Sequence, residues 1–344
     1  MSGNATARFT NVALLSVTSR LPAGVRTSAE VQERLAPALR RLRLPSTLLQ
    51  RVAGVHERRA WSAQEDVDAA TVAAGQEALH AAGVDPSDVG LLINTSVTRK
   101  HLEPSVAVRL HHGLDLPSSA TNFDVANACL GFINGMSLAA GMIESGQIRY
   151  AVVVDGEDAD VIHDRTIERL LDEGRDRDDF MQEFASLTLG SGSGSGSAAA
   201  VLGRADEHPS AHRVRGGVTR AATRFHDLCV GSTEGMFTDA KALLEGGLEL
   251  VVDAWKDAVA DWDWSSMDRY ITHQVSRVHT HAIVEAVGLN PSRVPVTYDR
   301  FGNVGPASVP ITLVEEQDTL SAGDRVLLMG VGSGINTAML ELAW

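Results

Sequence analysis

The sequence has little cysteine. Two thiols, Cys129 and Cys229, stand 100 positions apart in 344 residues, too few to build a disulfide framework. It also lacks any run approaching the roughly 18 apolar residues of a membrane span. Its start, MSGNATARFTNVALL, has neither the basic end nor the long apolar stretch of a signal peptide. These absences predict a cytoplasmic protein with no membrane span, in a reducing compartment. Basic residues are short as well, 30 against 44 acidic for a formal charge of -14, which repels phosphate backbones, so no nucleic acid is expected as a partner. Apolar material is plentiful at 44%. That excludes disorder and collagen, and the length suggests about two compact units.

Short β-branched runs bounded by Asp, Gly or Pro alternate with longer helical patterns, the mark of an α/β protein with a largely parallel sheet. Strands are predicted at Val12–Val17, Val89–Ser96, Ser119–Val125, Tyr150–Asp155, Ser197–Leu202, Arg269–His273, Val294–Tyr298 and Arg325–Val331. Helical spacing covers Ser28–Leu42, Ala63–Ala82, Leu130–Ser145, Asp239–Ala260 and Ala307–Glu316.

The chain also echoes itself. Phe123-Asp124 ends a strand and the next strand closes at Asp155, 31 positions on; Tyr298-Asp299 is followed by Gly330 at the same interval. Upstream of each lies another matching strand, beginning after Asp88 and Asp268. We read two similar halves, 1–203 and 204–344, joined near residues 204–225. In such a pair the loops at the carboxyl ends of the strands converge on one cleft.

Two segments are ambiguous. Gly190 to Ser197 (GSGSGSGS) has the composition of a flexible linker, yet it runs straight into the strand Ala198-Ala-Ala-Val-Leu, so a close-packed backbone turn is the alternative. Asp155 to Glu183 carries 12 acidic residues and 4 arginines. It reads as a solvated helical excursion, 155–190, with a lid or subunit contact as the alternative.

Cys129 follows a strand at the start of the helix Leu130–Ser145, where free N–H groups favour a thiolate and can hold an oxyanion. Alone, it reads rather as a small hydrophobe in a tight turn. His273 closes the strand Arg269–His273, and Asn303 sits in Phe301-Gly-Asn-Val-Gly-Pro. In the internal alignment Asn303 falls opposite Ala128 and His273 near Asn94, so both point to the shared cleft. Taken singly, they would be a structural histidine and a turn former.

Together these residues resemble the thiolase-superfamily condensing enzymes of the ketoacyl synthase III kind. The matching motifs are Ala53-Gly-Val-His-Glu-Arg-Arg, Asn127-Ala-Cys-Leu-Gly-Phe, Gly194-Ser-Gly-Ser-Ala-Ala-Ala-Val-Leu, His273-Gln, Gly302-Asn-Val-Gly-Pro-Ala-Ser and Gly330-Val-Gly-Ser-Gly-Ile-Asn. The resemblance implies a duplicated αβαβα layered fold, usually homodimeric, with the Gly-Ser tract as a buried turn. Within the superfamily the chain is most similar to OleA-type enzymes, which join two fatty acyl-CoA molecules head to head. It reads His273-Gln-Val-Ser-Arg-Val-His-Thr where ketoacyl synthases III commonly read His-Gln-Ala-Asn with an arginine shortly after for docking a carrier protein. Leu48 and Val52 stand where some synthases hold CoA with tryptophan and arginine, and Glu103 stands where the OleA type has its catalytic glutamate.

The resemblance implies Cys129 as nucleophile, the backbone N–H groups of Cys129 and Ser333 as oxyanion hole, His273 and Asn303 as donors to an enolate, and Glu103 as the base that removes an α-proton. Glu103 would reach across a homodimer interface. Malonyl-based synthases need no such base, because decarboxylation supplies the carbanion. Local sequence alone also allows Glu103 to be an ordinary carboxylate before Pro104 at a helix start. No metal and no cofactor are expected, CoA thioesters being substrates, and a downstream reductase or synthetase is a possible partner enzyme. Three rivals stand beside this reading: a decarboxylative 3-oxoacyl synthase III, a Cys-His-Asn hydrolase, and a non-catalytic subunit of a condensing complex. Arg213, Arg215, Arg220 and Arg224 read as a solvated connector, with contact to CoA phosphates as the alternative, and Cys229 as a buried structural thiol, with a place in the pocket lining as the alternative.

Overall fold

The computed structural model describes residues 6–189, 193–231, 236–259 and 261–344. Ten strands form one sheet system. Its order runs Arg269–Thr272, Arg325–Gly332, Asn336–Ala343, His212–Ala221, Val12–Arg20, Gly196–Arg204, Tyr150–Glu157, Val89–Asn94, Thr121–Asp124, with Thr6–Arg8 added on His212–Ala221. Among the described residues four strands of this order are written twice, and the fifth, 121–124, occurs only once. In the first half a parallel group, 121–124, 89–94 and 150–157, gives way to antiparallel 196–204 and 12–20. In the second, parallel 269–272 and 325–332 give way to antiparallel 336–343 and 212–221. The halves meet where Ala13 and Leu14 pair with Arg213 and His212.

The sheet is therefore mixed, not largely parallel as the alternation of elements suggests. Strands 196–204 and 336–343 each follow a strand they pair with antiparallel, which needs only a short connection and no crossover helix.

Helices stack on this framework in layers. Val67–Ala82 covers the part of the sheet formed by 12–20, 196–204 and 150–157, here the first sheet, and Ala240–Ala258 covers the part formed by 212–221 and 336–343, here the second. Between the sheets lie Gly131–Glu144 and Ser308–Glu316, which touch strands of both. The main core surrounds this central layer, with Phe132, Ile133, Met136 and Ile143 of one helix meeting Val153, Ala200, Leu328 and Leu340 of the two sheets. Helix Val67–Ala82 is set locally, its start capped by Asp66 accepting the amide of Ala69 at 3.0 Å and its end released by Gly83 at φ 64°.

Three segments depart from the sequence reading. Val294–Tyr298 is not a strand: Pro295 has no N–H to give a ladder, and the segment is held by the Gln274 side chain instead, through Pro295 O at 3.2 Å and Thr297 N at 3.0 Å. The arginine-rich connector around 212–221 is a ten-residue strand, and two of its arginines are paired, Arg220 with Asp257 and, just beyond the strand, Arg224 with Glu249. The acidic excursion forms helices Asp160–Leu171 and Arg177–Leu189, and it is more than a solvated face. Ile167, Leu170, Phe180, Phe184 and Leu187 close a satellite core against Val31 and Leu35 of the helix Ser28–Arg41.

Candidate active site

The nucleophile turn begins where strand Thr121–Asp124 stops. Ala128 adopts φ 45°, a left-handed conformation that costs an L residue of order 1 kcal/mol. The turn is held by Leu130 N to Asn127 O at 3.0 Å and Gly131 N to Ala128 O at 3.1 Å. It places Cys129 just before the helix Gly131–Glu144. Only glycine fits at 131, because a Cβ there would stand 2.8 Å from the carbonyl oxygen of Thr95.

Cys129 lines a cavity whose wall is mostly apolar, built from Met236, Leu243, Leu248, Val251, Ile283 and Met329. Burial there pushes its thiol well above the ordinary range, with the nearby Cys229, Glu157 and Asp155 adding to the effect. Desolvation thus opposes the thiolate that its place before a helix favours in the sequence reading.

His273 follows directly on strand Arg269–Thr272, continuing its ladder through the bond from His273 N to Met329 O at 2.8 Å. It lines the same cavity and is 5% exposed. Neither ring nitrogen finds a hydrogen-bond partner among the described residues. Burial lowers its pKa to about 3, with the neighbouring His279 contributing. The imidazole is thus neutral at physiological pH, with both nitrogens available to a ligand.

Ser333 reaches the cavity from the loop after strand Arg325–Gly332. Gly332 brings that loop against the nucleophile turn: a Cβ on it would lie 3.3 Å from Asn127 O and 3.2 Å from Leu130 Cγ. The two halves of the chain thus meet at Cys129.

Asn303 is fully buried behind this wall and is not itself among the cavity-lining residues. Gly305 N donates to its Oδ1 at 3.0 Å, which turns the amide nitrogen the other way. Its own backbone is fixed by the Gly-Ser tract: Asn303 N donates to Ser193 Oγ at 2.7 Å, and Gly194 N to Asn303 O at 3.1 Å. A Cβ on Gly194 would sit 1.9 Å from Phe301 O, so the described part of the tract, 193–197, is a close-packed turn and not a linker; residues 190–192 lie outside the described residues. The turn Gly305–Ala307 packs on the nucleophile helix.

Glu103 lies elsewhere. It is exposed, on the loop between strand Val89–Asn94 and helix Val106–Gly113, beside Leu102 at 95% exposure, and it does not line its own chain's cavity.

Cys229 lines the cavity, the alternative that the sequence left beside a structural thiol. The sequence reading missed three features. His279 is a second imidazole in the wall, with Nδ1 2.9 Å from Ser276 Oγ and its pKa lowered to about 4 by burial. Gln274 holds the segment before Asn303, as described above. Asp155 and Glu157 form a buried acid pair behind Cys129, both pushed up by burial, Asp155 further by the charge of Glu157. Glu157 accepts three hydrogen bonds, which oppose the effect of its burial. The only available signal was acidic residues inside a β-branched strand pattern, Val-Val-Val-Asp-Gly-Glu. Of the positions aligned with CoA-holding residues, Leu48 is buried in the satellite core, and the Val52 side chain lies outside the described residues.

Two family models match: 3-oxoacyl-[acyl-carrier-protein] synthase III over residues 123–174, containing Cys129, and its C-terminal domain over residues 258–344, containing His273, Asn303 and Ser333. An acyl-CoA:acyl-CoA alkyltransferase of Xanthomonas campestris is 43% identical over 322 residues, 92% of this chain and 94% of that protein. Another, from Shewanella oneidensis, is 32% identical over 354 residues, covering 98% and 100%. The crystal structure of a cysteine-to-serine variant of Xanthomonas campestris OleA with bound lauric acid and lauroyl-CoA superposes with a TM-score of 0.93 at 41% identity, covering 98% of this chain and 100% of that one.

Proposed function

The chain belongs to the OleA-type acyl-CoA:acyl-CoA alkyltransferases, thiolase-fold condensing enzymes related to ketoacyl synthase III, and from that premise we propose that it joins two fatty acyl-CoA molecules without decarboxylation. The observation that carries this reading is the shared apolar cavity of Cys129, His273 and Ser333. It offers a nucleophile, a neutral imidazole and a backbone donor beside a surface suited to an alkyl chain.

In the first stage Cys129 attacks the thioester carbonyl of one acyl-CoA. The thiol is protonated at rest, so its proton passes to the neutral His273 as the bond forms and then to the departing CoA sulfur. The backbone N–H groups of Cys129 and Ser333 hold the oxyanion. Such preorganised donors contribute about 2.7–4 kcal/mol each in a dry site.

In the second stage another acyl-CoA enters and loses an α-proton to Glu103. His273 donates a hydrogen bond to the enolate oxygen, and Asn303, set behind the resting cavity wall, supplies a second once the bound substrate reaches it. The enolate carbon then attacks the Cys129 thioester, the Cys129 sulfur departs, and a β-ketoacyl-CoA results.

The exposure of Glu103 in its own chain supports a base supplied by a second copy, so the active species is a homodimer with each Glu103 serving the other subunit's cavity. The reaction needs no cofactor, because both substrates arrive activated as CoA thioesters. The β-keto product suits a reductase or synthetase as the next enzyme on a route to an olefin or β-lactone, in the cytoplasm. Replacing Glu103 by Gln tests the base: acylation of Cys129 is expected to persist while coupling stops. Retained coupling would remove Glu103 from the mechanism.

A further inference from the structure

The loop 95–105 that carries Glu103 has no regular secondary structure, yet a base must be held within a fraction of an ångström of its proton. Carboxylates anchor it at both ends. At the far end Asp124 accepts Val106 N at 3.0 Å and Ala107 N at 2.9 Å and pairs with Arg99 at 3.6 Å. At the near end Glu157, 2% exposed, accepts Val97 N at 2.7 Å, Thr98 N at 2.9 Å and Thr98 Oγ1 at 2.6 Å. Thr98 Oγ1 in turn accepts Asp158 N at 2.8 Å. Glu157 has no cationic partner within 4.0 Å among the described residues.

A buried carboxylate without a cation is costly, and one that takes three donors from a single two-residue stretch is committed to that stretch. Glutamine has the same shape but would turn N–H groups toward donors, leaving at least one loop donor without an acceptor. The opposite side of the Glu157 carboxyl packs on Gly305, where a Cβ would lie 3.3 Å from Glu157 Cδ. Three neighbours are therefore candidates for its influence: the Glu103 loop, which serves the other subunit, and the Asn303 turn and the Cys129 thiol, which serve its own.

We propose that Glu157 is a positioning residue for Glu103 of the same chain, and hence controls proton abstraction in the cavity of the partner subunit. The inference rests on the reading of Glu103 as a base acting across a dimer. The number and geometry of the bonds to Val97 and Thr98 favour the loop over the Asn303 turn, which Glu157 touches without a hydrogen bond given by the structure.

Differently tagged chains, co-expressed and purified through both tags, give heterodimers that separate the possibilities. When a Glu157→Gln chain is paired with a Cys129→Ala chain, the single competent thiol belongs to the Glu157→Gln subunit, and its base comes from the chain with Glu157 intact. Condensation is expected to be faster here than in the second arrangement, whatever the substitution does to the Cys129 thiol beside it. When both substitutions sit in one chain opposite a wild-type chain, the competent cavity receives its base from the altered loop, and condensation is expected to fall at least tenfold. Equal rates in the two arrangements, or the reverse order, would overturn the proposal. Thr98→Val, which removes one loop donor and leaves Glu157 in place, is expected to show the same subunit dependence more weakly and serves if Glu157→Gln does not fold. A Glu103→Gln chain paired with Cys129→Ala is the control, expected to be active; an inactive control would show that Glu103 does not act across the interface and would bring down both the reading and the assignment.

Discussion

Ser193 Oγ accepts the backbone N–H of Asn303 at 2.7 Å, tying the Gly-Ser turn of the first half to the amide turn of the second. Both residues are almost fully enclosed. Replacing Ser193 by Ala leaves the Asn303 N–H buried without an acceptor, at a cost of about 1–3 kcal/mol. The expected result is a lower unfolding midpoint in urea together with slower condensation, acylation being less affected. Unchanged stability and coupling would show that this bond does not position Asn303.

The burial of Cys129 gives a pH signature. Its thiol is pushed above the ordinary range, so the rate of alkylation by iodoacetamide is expected to keep rising through pH 9 without a plateau. A plateau near neutral pH would mean a resting thiolate. Cys129→Ser is expected to abolish the acyl adduct seen by intact-protein mass spectrometry.

His273 gives another. Its folded pKa of about 3 lies below the usual 6.5 or so of an exposed histidine. Between those values the unfolded chain binds more protons than the folded one, so the neutral burial of His273 weakens the fold as pH drops from about 6.5 toward 3. At pH 5 the loss from this residue is about 2 kcal/mol. A His273→Gln variant is expected to lose less stability than the parent between pH 7 and pH 5 in denaturant titrations. Parallel losses in the two proteins would contradict a neutral buried imidazole.

Gly332 tests the contact between halves. In Gly332→Ala the added methyl crowds Leu130 and Asn127, displacing the Ser333 amide from the nucleophile turn. CoA release in the first turnover is expected to slow by about tenfold or more. A wild-type burst would remove Ser333 from the oxyanion hole.

Part of this arrangement is legible in the sequence because a spacing repeats. The 31-residue interval from Asp124 to Asp155 recurs from Asp299 to Gly330, and each interval closes inside a central strand, Tyr150–Glu157 or Arg325–Gly332, although only Asp124 ends a strand at its start. Cys129, His273 and Ser333 all lie at or just beyond carboxyl ends of strands, so their convergence follows from topology. Strand His212–Ala221 was hidden because HRVRGGVTRA is polar and contains two glycines. Its Gly217 is required by the neighbouring strand, since a Cβ there would lie 1.8 Å from Met339 O, a constraint that exists only after folding. The acid pair Asp155 and Glu157 was lost in an acidic run whose later members are half-buried or exposed; what distinguishes the pair is full burial. Glu103 is the opposite case, chosen by resemblance alone, since within one chain it faces away from the chemistry.

The most direct measurement uses a single long-chain saturated acyl-CoA as the only substrate, with products resolved by mass. The account requires a β-ketoacyl product containing two copies of the acyl chain, formed without malonyl thioester. Free fatty acid and CoA alone, or coupling only when malonyl thioester is supplied, would contradict it.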